Sequence, residues 1–370
     1  MLAQTNMTKL NRFPLAGQCA PGVPMQISYP LENLPAPGAT LPVVDGVHWL
    51  RMPLPFALDH INLWLLDDGE DCTAVDTGIA MDTVKEHWKS ALAALPNERR
   101  LVRQIVTHFH PDHLGLAAWL ESETGASLWM TQGEYQTAHL VAAGIAPFDM
   151  TTMLEFFRQH GLDATRHAGI EKRGNAYRRG VPAIPASFRR MIDGDIITVG
   201  AHDWRVIVGY GHAPEHASLY CAALGVLIAG DMLLPRISTN VSAYAADPSF
   251  DSLGLFLASL ERFTALPADT LVLPSHGRPF RGLHARVAEL QAHHAARCAD
   301  LLAACNSGPR SACELLTVLF GRPIDDPHQT MFAMGEAIAH LNHLQQERRL
   351  ARTIEGGIIR YASVNRPRME

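Results

Sequence analysis

Thr107-His108-Phe109-His110-Pro111-Asp112-His113, followed by Leu114-Gly115, is the stretch whose reading decides the fold. Three imidazoles and a carboxylate so close together build a core poorly and a metal site well, because neutral His and ionised Asp are ligands that divalent zinc prefers. His108 and His110 lie two apart in an extended segment, so their side chains emerge on one side and can share an ion. Asp112 and His113 follow a turn at Pro111 and point at a neighbouring position. The spacing itself suggests two metals rather than one.

Immediately upstream, Leu101 to Val106 reads as a buried strand, which puts the cluster at a strand's carboxyl end, where α/β sheets gather ligands. Further upstream, short apolar runs at His48–Met52, Asn62–Leu66 and Cys72–Val75 read as strands, with a hairpin turn at Asp67-Asp68-Gly69. Asp76-Thr77-Gly78 closes the third of them and leads into a helix over Met81 to Ala94. Downstream come a helix (Leu114 to Thr124), a strand (Ser127 to Met130) and helices over Gln132–Ala143 and Thr151–Gln159. Gly161 to Arg190 then mixes Arg, Gly and Pro without periodicity. The strand rhythm resumes at Asp195–Val199, Trp204–Val208, Ser218–Cys221 and Val226–Ala229, followed by a helix (Phe250 to Phe263) and a last strand (Thr270 to Leu273).

Three of these later strands end on a lone ligand-type residue beside Gly or Pro: Gly211-His212-Ala213-Pro214, Gly230-Asp231 and Pro274-Ser275-His276-Gly277. With the first cluster they make five His and two Asp. Beyond Gly282 the sequence predicts helices over Leu283–Ala304, Ala312–Phe320 and Met331–Glu347, then a ribbon turning at Gly356-Gly357. The expected organisation is a Pro-rich N-terminal arm (1–41), a catalytic domain (42–281) with an insertion at about 132–190, and a helical C-terminal region (282–370) with a winged-helix-like module from about 311.

These residues carry a resemblance: the chain resembles the metallo-β-lactamase-fold metallohydrolases, whose motif His-x-His-x-Asp-His matches residues 108 to 113. The match runs from about Val43 to His276, through Asp76-Thr77-Gly78. The resemblance implies an α/β fold of four layers, αββα. It implies that His108, His110 and His212 hold a first metal, that Asp112, His113 and His276 hold a second, and that Asp231 bridges them. Two divalent ions, Zn2+ by preference with Fe or Mn as alternatives, then activate a bridging hydroxide, and Asp112 and Asp231 are the catalytic carboxylates. The bridging Asp231 is similar to the glyoxalase II, lactonase and ribonuclease Z-like branches and unlike true metallo-β-lactamases. The implied reaction is hydrolysis of a small ester, thioester or lactone. The alternative is a phosphodiesterase that grips nucleic acid with the C-terminal module, and the one-iron sulfur dioxygenases of the fold resemble the pattern too.

The totals bear on partners. A chain of 370 residues with 31 Lys plus Arg, 37 Asp plus Glu and a net charge of −6 is not built chiefly to neutralise phosphates. From Arg310 to Glu370 there are eight Arg, no Lys and seven acidic residues, nearly neutral, so nucleic acid is disfavoured and a small-molecule substrate preferred. The C-terminal module is expected to cover the active-site mouth or form a homodimer contact. No apolar run of membrane-spanning length occurs and Met1 to Asn11 lacks a signal-peptide core, so the expected location is the cytoplasm, with no membrane partner. The six cysteines are scattered, which predicts buried free thiols. His60 and Arg236 are candidate substrate contacts, against a solvated loop His and a surface salt bridge. His216 is expected to hydrogen-bond beside the ligands, His293 and His294 to be solvated, and the basic run Lys172–Arg179 to form a mobile lid.

Overall fold

A computed structural model describes residues 26–96 and 99–364; Cys19 and most of the Pro-rich arm lie outside the described residues. In chain order the elements are β1 (Thr40–Val44), β2 (Val47–Pro53), β3 (His60–Asp68), β4 (Asp71–Val75), α1 (Asp82–Ala93), β5 (Leu101–Ile105), α2 (Pro111–Leu114), α3 (Ala117–Thr124) and β6 (Ser127–Thr131). The insertion follows as α4 (Gln132–Ala143), α5 (Met150–Gln159), α6 (Ala164–Glu171), α7 (Tyr177–Gly180) and β7 (Arg189–Met191). Then come β8 (Ile196–Val199), β9 (His202–Gly209), β10 (His216–Cys221), β11 (Val226–Gly230), α8 (Ser252–Phe263) and β12 (Leu271–Pro274). The chain ends in α9 (Leu283–Asn306), α10 (Ala312–Phe320), α11 (Pro327–Gln346), β13 (Leu350–Glu355) and β14 (Ile358–Ser363).

A seven-stranded sheet runs in sequence order from β1 to β7, and a five-stranded sheet runs β12-β11-β10-β9-β8. Strand periodicity explains the layering. In β2, Val47 and Trp49 face the second sheet while Leu50 and Met52 face α1; in β3, Trp64 and Leu66 face inward while Leu63 and Leu65 face out. In the second sheet, Val206, Leu219, Ile228 and Leu273 point into the same inter-sheet core, and Ile207, Tyr220, Leu227 and Val272 point outward under α8, α9 and α11. Both faces of both sheets are therefore apolar, and only a helix–sheet–sheet–helix stack buries all four. Trp49 and Trp64 stack at 6.1 Å in the middle layer; truncating such a buried Trp to Ala costs about 3–5 kcal/mol.

Several expectations need correction. The strand starting the first sheet begins at Thr40, inside the segment assigned to the arm, and Ser28 bridges Arg281. The single helix expected over Leu114–Thr124 is two, because Gly115 and Leu116 turn the chain between α2 and α3. The stretch without periodicity, Gly161 to Arg190, holds α6, α7 and the edge strand β7, pieces too short for a helical period to show. Helix α11 starts at Pro327 rather than Met331, since Asp326 accepts the Gln329 N–H as its cap and Pro occupies the first turn. The C-terminal helices share one continuous core with the outer face of the second sheet and with α5 of the insertion. Cys72, Cys221, Cys298 and Cys305 are buried free thiols and Cys313 is half-buried. No helix among the described residues is long and apolar enough to cross a membrane.

Candidate metal centre

The seven ligand candidates converge at one edge of the sandwich as two groups: His108, His110, His212 and Asp231, and Asp112, His113 and His276. Each comes from the chain just beyond a strand: the first four from beyond β5, His212 from beyond β9, Asp231 from beyond β11 and His276 from beyond β12. In the first group, His108 Nε2 lies 2.9 Å from His110 Nδ1 and 3.1 Å from His212 Nε2. In the second, Asp112 Oδ2 lies 3.7 Å from His113 Nε2 and 3.5 Å from His276 Nε2. Asp231 spans both, with Oδ2 3.4 Å from His212 Nε2 and Oδ1 3.4 Å from His276 Nε2 and 3.6 Å from His113 Nε2.

The outer nitrogens of these rings are fixed by acceptors. His113 Nδ1–H donates to Asp76 Oδ2 (2.8 Å), His212 Nδ1–H to the Asn240 carbonyl (2.7 Å) and His276 Nδ1–H to the His60 carbonyl (2.8 Å). His108 Nδ1–H faces Thr107 Oγ1 at 3.0 Å. Every Nε2 in these four rings is thereby turned inward, the orientation metal-ligating imidazoles require. Asp76 achieves its grip because its backbone takes φ +64° at the end of β4, which swings the carboxylate beneath β5, where Oδ1 also accepts the Thr107 N–H at 2.8 Å.

The electrostatics match the chemistry of the donor set. Burial, then the neighbouring imidazoles, hold His108 and His110 well below the usual His range, so both are neutral. Burial opposes charge on Asp231, yet His276 and His113 hold its carboxyl well below the carboxylate range. Burial likewise works against protonating His113 and His276, but the carboxylates around them, Asp76, Asp112 and Asp231 for the first and Asp231 and Asp112 for the second, raise both above the usual His value. The acidic groups of this half thus demand positive charge, which protons or divalent cations can supply. His113 Nε2 and Asp231 Oδ1 are buried and have no hydrogen-bond partner, an arrangement costly for polar atoms unless an ion is bound. The residues present fit a pair of divalent cations.

Asp112, in the first turn of α2, has a side chain that stays one-fifth exposed. His216 is held neutral by burial, to about 3, and its Nε2 accepts the Asp231 N–H at 3.1 Å, fixing the loop that bears the bridge. His60 lies on β3 rather than in a loop. Its carbonyl orients His276, its Nε2 accepts the Gly277 N–H at 2.8 Å, and its Nδ1 meets Asp59 at 2.7 Å, so it braces a ligand rather than facing solvent. Arg236 is exposed and lies over the Tyr29 ring at 5.6 Å with no carboxylate partner among the described residues. His294 is buried, not solvated, with Nδ1 3.1 Å from His340 Nε2.

The insertion is part of the site rather than outside the catalytic core. Glu134, in the first turn of α4, is fully buried; its Oε2 accepts the Phe109 N–H (2.9 Å) and its Oε1 the Glu215 N–H (2.5 Å). Burial pushes its carboxyl up to about 8. The run expected as a mobile lid is docked instead: Tyr177 Oη–H donates to the Phe109 carbonyl at 2.7 Å and Gly180 lies against Pro111. From the C-terminal side, Asn240 Nδ2–H donates to Glu336 of α11 at 3.0 Å. The sequence offered no signal for these supports beyond an acidic residue in a helix's first turn, which usually reads as a favourable dipole contact.

The Metallo-beta-lactamase superfamily model matches residues 57–276, and the Metallo-beta-lactamase-like, C-terminal domain model matches residues 298–364. A beta-lactamase domain protein from Burkholderia ambifaria is similar in structure, with a TM-score of 0.85 at 45% identity over 91% of this chain and 98% of that one. A metallo-beta-lactamase family protein from Thermus thermophilus follows with a TM-score of 0.74 at 31% identity over 87% of this chain and 99% of that one. The probable metallo-hydrolase YqjP of Bacillus subtilis is 24% identical over 87% of this chain and 99% of its own length. The chain belongs to the metallo-beta-lactamase superfamily and is a metal-dependent hydrolase of that family.

Proposed function

We propose that the protein is a dinuclear hydrolase of small esters, thioesters or lactones. The observation that carries this reading is Asp231, whose two oxygens face the two ligand groups at 3.4 Å each. His108, His110 and His212 would hold one ion, Asp112, His113 and His276 the other, with Asp231 shared. Two divalent cations, when bound, lower the pKa of water toward about 7 and polarise a carbonyl oxygen. Zinc suits the mixed imidazole and carboxylate donors, and iron or manganese is compatible with them.

Asp112 would accept a hydrogen bond from the attacking water and orient it, a role for which its one-fifth exposed side chain leaves room. Phe56, in the loop before His60, packs on His328 with ring centroids at 5.3 Å, and His328 packs on Phe332 at 5.0 Å. Phe56 and Phe332 are 44% and 39% exposed, so the pair presents apolar surface. A metal analysis combined with a hydrolysis screen over thioesters, lactones, simple esters and phosphodiesters tests the reading. Two zinc equivalents with acyl turnover are expected. Turnover of phosphodiesters alone, or a protein that takes one equivalent at saturating zinc, overturns it.

A further inference from the structure

We propose that Glu134 and Tyr177 make the insertion the element that sets the affinity of the first metal position, independently of the second. This rests on the two-metal reading above. Phe109 stands between the two ligands His108 and His110, and its peptide is held at both ends by the insertion: Glu134 accepts its N–H and Tyr177 donates to its carbonyl. The Tyr177 ring also packs on that of Phe109 at 5.9 Å. The second oxygen of Glu134 accepts the N–H of Glu215, three residues past His212, so one buried carboxylate ties together the two loops that supply all three imidazoles of the first group.

The tie is reciprocal. Glu215 returns its own carboxylate to the start of α4, where Oε2 accepts the Gly133 N–H at 2.7 Å, and its carbonyl accepts Thr131 Oγ1–H at 2.8 Å. A Cβ at Gly133 would meet the Glu215 carboxyl carbon at 2.9 Å, so a larger residue there would push that side chain away. Among the described residues no side chain of the insertion hydrogen-bonds to the second group, whose rings are oriented by Asp76 and His60 of the core. Glu134 uses both oxygens as acceptors. Glutamine is close in shape but presents an N–H2 to one of the two N–H donors, so Glu134→Gln breaks one tie without emptying the space. Glu134 and Tyr177 are positioning residues that act through Phe109 and Glu215.

The test is a competitive zinc titration of the full chain against a chromophoric chelator, with metal content measured after gel filtration. In Glu134→Gln one equivalent is expected to stay at wild-type affinity while the other weakens by about 10–100-fold, the usual effect of losing a partner that orients ligands. Tyr177→Phe, which keeps the ring, is expected to weaken the same equivalent by a smaller factor. Two equivalents at wild-type affinity in both variants, or an equal fall in both equivalents, overturns the proposal; a fall confined to one supports it. Should Glu134→Gln fail to fold by circular dichroism, Tyr177→Phe carries the same two outcomes. Wild-type protein that binds a single equivalent breaks the two-metal reading instead, and is seen before any variant is compared.

Discussion

The two halves of the metal centre are built by different parts of the chain. The rings of His113 and His276 are oriented by groups at the ends of core strands: the carboxylate of Asp76, the hydroxyl of Thr107, which also meets His108, and the carbonyl of His60. The loops bearing His108, His110 and His212 are steadied from outside, by Glu134 and Tyr177 of the insertion and, through Asn240, by Glu336 of α11. Asp231 is common to both. In the proposed two-metal reading, changes in the peripheral helices would alter one metal position and leave the other to the sheets.

The largest effect should come from the shared residue. Asp231→Ala removes a ligand of both groups, and kcat is expected to fall on the order of 10³-fold or more, with both metal equivalents weakened; steady-state kinetics with metal analysis checks this, and loss of only one equivalent would remove Asp231 as a bridge. Asp76→Asn sharpens the comparison from the core side. It takes the acceptor from His113 directly and reaches His108 only through Thr107, so the second equivalent should weaken by about 10–100-fold and the first by less, as read by chelator competition. Glu336→Leu acts on the first group through two links, so the fall in its affinity should stay near or below about tenfold. An effect equal to that of Glu134→Gln would show the C-terminal region to be as strong a brace as the insertion.

The smallest effect is on stability. His160, His294 and His340 are buried, and burial lowers them to about 4, about 3 and about 4. They are neutral when folded and take up protons on unfolding below the ordinary His value, so the unfolded state binds more protons and stability falls as pH drops from about 6.5 toward 4. Thermal melts of His294→Leu should show a shallower decline over that window than wild type. An identical slope would mean that His294 does not contribute.

How much of this was legible in the sequence follows the same division. His108 to His113 announce themselves because the ligands are adjacent, and His212, Asp231 and His276 because each stands alone where an apolar strand stops. The layers were legible too, since period-two apolar runs such as Val47-x-Trp49 and Trp64-x-Leu66 mark sheet faces. Glu134 was not, because its partners Phe109 and Glu215 lie 25 and 81 residues away and are backbone groups that carry no side-chain signature. His60 was read as a substrate contact or a solvated loop His because the residues it braces, His276 and Gly277, lie 216 and 217 residues away. Helices α6 and α7, eight and four residues long, are held by packing rather than by a pattern of their own.

The C-terminal helices cover Leu227, Ala229 and Val272 on the outer face of the second sheet. Those strands deliver Asp231 and His276, so the sheet that carries the bridging ligand owes one of its two dry faces to sequence that follows the last ligand. The last ligand candidate stands at position 276, whereas the helices that keep this face of the sheet dry, α9 to α11, all follow it in the chain.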